Sequence, residues 1–400
     1  MYLTRLSLTN YRAFTRLDLE FPGRIVLLVG ANAQGKTSIL EAIYYLATFS
    51  SFHAATDRQL INFTMPEESI MVARIVAEFK TQQKQHQLEV RLVKETNGAN
   101  SPQRFRKEVL LDGVKRKIGD VLGKFNAVIF LPQMVRIIEG APADRRQYLN
   151  TLLSQVVPQY ARHLRDYGKV LSQRNALLKM LSERGGEASQ LEVWDDMLAK
   201  HSAAIMKARI IAIRELEHIS KRIHYRLTDS QEVLRFHYRP AYEPLPAPKG
   251  QLVLPVDTDI DRSALSIEDL QVGFIKALCN ARREDISRGL TTLGPHRDEL
   301  RILSNKIDLG NYGSRGQSRT ALLAMKMAEV QWMREKTGEW PVLLLDEMLA
   351  ELDPQRRHDL LEVLKDAEQA LLTSTDLDMF EADFVAQHEV WHVDNGLVVK

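Results

Sequence analysis

The sequence predicts an α/β protein: a head with a mixed sheet, split in two by an inserted, mainly helical arm. Three observations predict it. The apolar run Ile25 to Val29 leads through Gly30-Ala31-Asn32-Ala33-Gln34-Gly35-Lys36-Thr37 into an amphipathic stretch, the strand, glycine loop and helix order of a phosphate-binding unit. Far downstream, Val342 to Leu345 form a second apolar run that ends on Asp346 and Glu347, as a buried parallel strand does when it delivers polar groups at its carboxyl end. Between the two, from about Ala143 to Leu227, alternation gives way to helical spacing. The division is then residues 1–140 and 288–400 for the two halves of the head, and 141–287 for the arm with its Pro-rich loop.

Each element has its own signal. Leu6 and Leu8, then Leu17, Leu19 and Phe21, alternate as strands do, and so do Ile70 to Phe79 and Leu88, Val90 and Leu92. Asp112-Gly113, between "VLL" and "VKRK", predicts a hairpin turn. Residues 145–181 and 191–227 predict two antiparallel helices parted by Gly185-Gly186. At about 1.5 Å per residue, roughly 35 residues each give an arm of about 50 Å. The stretch "YRPAYEPLPAPKGQLVLP" reads as a linker, with an edge strand at Val233 to Tyr238 before it and a helix at Ile267 to Arg288 after it.

Composition sets outer bounds. The chain has 400 residues, 44% apolar and 26% charged, which describes a soluble globular protein able to bury a core. Its apolar runs are strand-sized, far short of the ~20 residues a spanning helix needs. Arg5 and Arg12 interrupt the start without an apolar signal region, so a cytoplasmic location is expected. A single cysteine, Cys279, excludes internal disulfides and any cysteine-paired zinc site within one chain. A net charge of +2 does not by itself argue for nucleic acid, so that case rests on local patches.

The motifs carry a specific chemistry. Gly30 and Gly35 let the backbone wrap a phosphate chain, with Ala31, Asn32, Ala33, Gln34 and Ser38 completing the cradle. Lys36 can bridge β- and γ-phosphates and the Thr37 hydroxyl can hold Mg2+. Asp346 can complete the metal shell, and Glu347 can polarise the attacking water, so the pair reads as a site for ATP and Mg2+. A second element, "GSRGQSRT" at Gly313 to Thr320, sets a glycine-flanked serine before a helical run and presents backbone NH groups where phosphate binds well. Taken alone, the same residues read as an ordinary helix cap, with Ser314 or Ser318 satisfying free NH groups.

The glycine loop with Asn32, "LLLDE", "AELD" and the SxGQ element together resemble the head of the ABC-type ATPases, and more narrowly the DNA-repair branch that includes SMC and Rad50 proteins. Within that branch "NYRAF", "APADRRQYLNTLLSQ", "YGKVLSQRNALLK", "TTLGPHRDEL" and "GSRGQSRTALLAMKMAE" resemble the landmarks of a family of bacterial recombination mediators, in that family's order. They span most of the chain, apart from Asp229 to Ser266 and the strand-rich stretch near residues 50–120.

The resemblance implies an ABC-type head whose signature turn acts in trans. Two heads pair head to tail when ATP binds; Ser314 and Gly316 cap the γ-phosphate held by the other copy, and Gln317 supports the turn. It implies that Arg12 reaches the nucleotide phosphates, that Gln133 senses Mg2+ and water, and that Asp353 lies at the dimer seam. This chain carries Arg315 where many signatures have glycine, and Thr375 and Asp376 where many have a switch histidine. A hydroxyl cannot exchange charge as imidazole does, so a weak, DNA-stimulated ATPase serving as a timing switch is expected.

The family further implies binding to double-stranded DNA and to single-strand/double-strand junctions, and a place in replication-fork maintenance and the SOS response to DNA damage. RecR and RecO would help RecA displace single-strand binding protein there. Basic residues at Arg104 to Lys124, and Arg145, Arg146, Arg162, Arg165, Lys169, Arg174, Lys207, Arg209, Lys221, Arg222 and Arg226, are the candidates for lining a phosphate groove. His296, in "GPHRD", reads as structural or DNA-facing. Two other readings share the phosphate motifs: the nucleotide-binding subunit of an ABC transporter, and an ATP-dependent nuclease of the SMC-like branch.

Overall fold

The computed structural model describes residues 1–64, 68–95, 104–245, 260–394 and 396–399, and the chain forms two compact units. The first joins Met1–Met134 to Glu329–Lys400. It contains two six-stranded sheets. One is a wholly antiparallel sheet in the order Phe14–Glu20, Tyr2–Tyr11, Ile70–Lys80, Gln85–Glu95, Arg104–Leu111, Val114–Arg116. Its last turn is the expected hairpin: Asp112 (φ 53°) and Gly113 (φ 78°) both take the left-handed conformation that matches strand twist.

The other sheet runs Leu397–Val399, Glu389–Asp394, Ile25–Val29, Ala370–Ser374, Val342–Asp346, Ala127–Phe130. All neighbours are parallel except the first pair, so the sheet is mixed as predicted. The central strands are buried at every position, which explains their unbroken apolar runs. The helix Lys36–Thr48 touches both sheets, and Ile39, Leu40, Ala42, Ile43, Tyr45 and Leu46 bury themselves all round it in one core.

The second unit, Val135–Ala328, holds the helices Pro142–Val156, Tyr160–Arg184, Glu192–Leu227 and Ile267–Arg288 and a three-stranded antiparallel sheet. The predicted antiparallel pair is present, with Gly185 (φ 73°) closing the first partner. That first partner is shorter than expected. Val157-Pro158-Gln159 breaks it into helices of 15 and 25 residues, because Pro158 has no NH for the ladder and Gln159 turns to φ 63°. Only the 36-residue Glu192–Leu227 reaches the expected length.

The units also divide differently from the sequence reading. Leu234–Arg239, an edge strand as expected, pairs with Glu299–Ser304, so the chain beyond residue 288 still belongs to the second unit. The division at 328/329 falls inside the helix Arg315–Thr337. Most of the Pro-rich stretch lies outside the described residues.

Several predicted phosphate-contacting arginines are internal instead. Arg174 donates to Asp195 (2.8 Å), Asp285 (2.7 Å) and the Thr291 hydroxyl (2.8 Å), tying three helices together with no exposed side-chain surface. Arg209 donates to Asp298 (2.7 Å), the Pro295 carbonyl (2.7 Å) and Asn150 (3.0 Å). Arg145 pairs with Glu299 (2.9 Å), and Lys207 caps the carbonyls of Ser263 and Leu265. His296 bonds Tyr167 and the Thr291 carbonyl, which makes it structural. A buried guanidinium stripped of water needs carboxylate partners, and here the partners are present.

Removing one member of such a set leaves the others buried and uncompensated. Arg174→Ala is expected to cost about 3–5 kcal/mol in urea unfolding of this unit. Arg165→Ala, whose side chain is 47% exposed, should cost less than about 1 kcal/mol.

Candidate functional site

The parallel sheet aligns the carboxyl ends of Ile25–Val29, Ala370–Ser374, Val342–Asp346 and Ala127–Phe130, and the predicted catalytic residues follow those ends. Gly30 continues the first strand, its NH bonded to the Ser374 carbonyl at 3.3 Å. A Cβ there would lie 2.2 Å from the Val393 carbonyl oxygen, so the close neighbouring strand is what requires glycine. Gly35 is required twice over, by φ 109° and by the Phe14 ring 2.8 Å from where a Cβ would sit. The helix that follows has no side-chain cap and no acid in its first turn. Its first NH groups and positive dipole end therefore suit an anion.

Lys36 is 4% exposed, and its Nζ donates to the carbonyls of Gly30 (2.5 Å) and Ala31 (3.1 Å), with Glu347 at 3.5 Å. Asp346 Oδ1 accepts from the Thr37 hydroxyl (3.0 Å) and from the Thr373 hydroxyl (2.7 Å). Thr373 Oγ1 also accepts from the Glu347 NH at 3.0 Å. Glu347 sits at φ 49°, a strained conformation for a non-glycine residue, and its half-exposed carboxylate lines the cleft above the loop.

That cleft, about 530 Å³, is lined by Asn32 to Ser38, Arg12, Glu41, His53, Phe63 and Glu347. Arg12 is held there by a fork. Its Nε and Nη2 reach the two oxygens of Glu41 at 2.7 and 2.6 Å, and its Nη1 reaches the Gln59 carbonyl at 3.1 Å. The bond to Glu41 raises the Arg12 pKa, against burial. Glu41 is itself buried and also accepts from Tyr11 (3.1 Å) and Ser51; burial and this carboxylate push the Tyr11 phenol well up.

Sequence reasoning missed Glu41, Thr373, His53 and Phe63. A charged residue inside the apolar run "ILEAI" was the available signal for Glu41; the others sit in a strand interior and a loop without periodicity.

The remaining predicted residues take separate places. Gln133 lies on the turn Pro132–Val135 after its strand, exposed and outside the cleft lining. Thr375 donates to its neighbour Asp376 at 3.0 Å. Asp353 caps the helix Pro354–Asp366; burial works to raise its carboxyl, but the Arg356 NH and guanidinium outweigh it and hold it below the ordinary value. In the second unit, Ser314 and Gln317 form a reciprocal cap: Gln317 NH donates to Ser314 Oγ (3.2 Å) and Ser314 NH to Gln317 Oε1 (3.0 Å). Gln317 also bonds Glu232 at 3.0 Å, while Ser314, Arg315 and Gly316 are exposed.

A family model described as RecF/RecN/SMC N terminal domain matches residues 2–398. The "DNA replication and repair protein RecF" of Herpetosiphon aurantiacus is 37% identical over 407 residues, covering 100% of this chain and 99% of its own. This chain belongs to the RecF family. The RecF of Halothermothrix orenii is 34% identical with 100% and 99% coverage. A solved structure described as the recombination mediator protein RecF-ATP in the RecFOR pathway matches with TM-score 0.82 and 30% identity over 100% of this chain and 97% of that one. The ABC-type head expected from the motifs is thus the fold of this RecF-family chain. No described helix is long and apolar enough to cross a membrane.

The loop glycine gives a direct check on the geometry. Gly30→Ala should lower stability by about 1–3 kcal/mol, because the Val393 backbone cannot yield without shifting a strand. Gly119→Ala, where a Cβ meets nothing within 4 Å, should stay within about 0.5 kcal/mol in the same thermal unfolding measurement.

Proposed function

We propose that this chain is an ATP-dependent DNA-binding protein of recombinational repair and replication-fork maintenance. Two copies close head to tail around duplex DNA near single-strand gaps when ATP is bound, and part after slow hydrolysis. The observation that carries the nucleotide reading is the convergence of Lys36, Thr37, Asp346 and Glu347 at the carboxyl ends of two parallel strands parted only by Ala370–Ser374, beside a helix start free of competing caps. Relatives described as RecF-ATP support it.

Lys36 Nζ would exchange its loop carbonyls for β- and γ-phosphate oxygens, and the NH groups of Gly35 to Ser38 would cradle the chain between them. Arg12, fixed by Glu41, would add a cation at the cleft wall without losing rotamer freedom on binding. The Thr37 hydroxyl and the Asp346 carboxylate, 3.0 Å apart, are the hard oxygen donors that Mg2+ takes, and the ion would neutralise charge on the phosphates. Glu347, with Thr373 fixing its backbone NH, would orient the attacking water. Lacking a switch histidine, the site fits slow turnover.

The signature turn supplies the dimer. Ser314 uses an oxygen lone pair for its own helix cap and keeps its hydroxyl proton to donate, so capping and phosphate binding are compatible. The exposed Gly316 NH and the dipole of Arg315–Thr337 add to it. Gln133 and Asp353 would serve as sensor and seam residues in the closed dimer. DNA contact is supported by basic side chains that stay exposed, such as Arg162 and Arg165. With RecO and RecR, the clamp would help load RecA.

Two measurements test this. Sedimentation should show a monomer without nucleotide and a dimer with ATP; Ser314→Arg should keep monomer ATP binding and lose the dimer. A wild-type monomer indifferent to nucleotide contradicts the scheme. Glu347→Gln should bind ATP normally and hydrolyse it about 10²–10⁴-fold more slowly, and Lys36→Arg should bind yet hydrolyse poorly.

A further inference from the structure

The three-stranded sheet of the second unit has two unlike faces. Leu234, Phe236, Tyr238, Leu300 and Ile302 are buried, while Arg235, His237, Arg239 and Arg301 take the alternate positions. The register sets Arg301 opposite His237. Where the strand Glu299–Ser304 turns into Ile307–Asp308 and the short helix Leu309–Tyr312, an open cleft of about 480 Å³ is lined by His237, Arg301, Lys306, Asp308 and Tyr312, among others.

Three details give this cleft a chemistry. Tyr312 is 79% exposed, and its hydroxyl has no hydrogen bond among the described residues, so a whole aromatic face lies open. Lys306 is exposed, likewise without an ion pair among the described residues, and stands at φ 71° after Asn305 at φ 47°. A two-residue turn of this kind favours Asn-Gly, so the chain accepts a strained lysine where glycine would be easiest. The turn is also pinned: the Asn305 side chain accepts from Val233 NH (3.0 Å) and donates to the Gln231 carbonyl (3.1 Å).

Arg301 is 41% exposed, with Asp308 at 3.7 Å. Asp308 is occupied by Gly310 NH (3.0 Å) and Asn311 (3.2 Å), which fix the start of the short helix. Arg239 Nε donates to His237 Nδ1 at 3.3 Å, which sets the ring against the cleft wall.

Cations carried on a pinned turn and a sheet strand, beside a bare aromatic face, match a polyanion whose bases are unstacked. We propose that this cleft seats single-stranded nucleic acid, with phosphates on Arg301 and Lys306 and one base stacked on Tyr312. The inference rests on the DNA-binding part of the proposed function and adds which surface reads the single-stranded side of a junction. A paired duplex offers phosphates but no free base face, so the tyrosine discriminates between the two. Tyr312 stands two residues before Ser314, so a strand seated here adjoins the signature turn.

The test is fluorescence anisotropy of the full chain with labelled oligothymidylate and with a blunt duplex. Tyr312→Ala should weaken single-strand binding roughly tenfold or more and leave duplex and ATP binding unchanged. Lys306→Gly relieves the strained turn, so folding is secure, and should flatten the slope of log K against log salt for single strands by about 0.7. An oligonucleotide bearing 5-iodouracil should crosslink to Tyr312. Unchanged single-strand affinity in Tyr312→Ala, or an equal loss for duplex, overturns the cleft while leaving the wider DNA reading intact. Wild-type protein that binds no DNA at all sinks both.

Discussion

The Asp346 carboxylate is the point on which the site depends. Its Oδ1 receives hydroxyls from Thr37, 309 residues away in sequence, and from Thr373 on the strand between them. Three strands from distant parts of the chain must therefore be in register before the loop and the acidic pair face one another. Parallel pairing sets that register, with Asp346 opposite Thr373 and Thr373 opposite Leu28. The glycine loop is then confined by backbone on one side, at Val393, and by the Phe14 ring on another. A loop so held needs little reorganisation to grip phosphate, which is where preorganised sites gain their advantage.

The same logic of positioning explains the buried acids. Glu41 has no business in an apolar helix unless it holds something, and it holds Arg12 by both oxygens. In the second unit Asp195, Asp285 and Asp298 do likewise for Arg174 and Arg209. Each pair gives direction to a group that an apolar contact would leave free to rotate. In the helical unit that direction serves architecture; in the head it aims a cation at a cleft.

Legibility followed from locality. The strand, loop and helix around Lys36, the strand ending at Asp346, the Asp112-Gly113 turn and the helix Ile267–Arg288 were all readable, because each is specified by residues next to one another. What was not readable depends on distant partners. Arg145, Arg174 and Arg209 read from sequence as candidates for a phosphate groove, and only tertiary packing shows the carboxylates that bury them. Thr373 is an ordinary residue in an apolar strand until Asp346 lies beside it. Pro158 is the local signal for the break between the helices Pro142–Val156 and Tyr160–Arg184, but helical spacing continues on either side of it. The later unit boundary was hidden because Glu299–Ser304 finds its partner some 60 residues back, a pairing that no local pattern announces.

The signature turn is a case where a structural and a functional reading coexist. Ser314 and Gln317 cap a helix, yet that cap also freezes an exposed serine and glycine at a positive helix end. The central claim is that this turn completes the phosphate site of another copy. A structure of the protein solved with a non-hydrolysable ATP analogue tests it most directly. The account predicts Ser314 Oγ of one copy within hydrogen-bond distance of the γ-phosphate held by Lys36 of the other. Finding that turn exposed to solvent, with the analogue fully enclosed by a single chain, would contradict it.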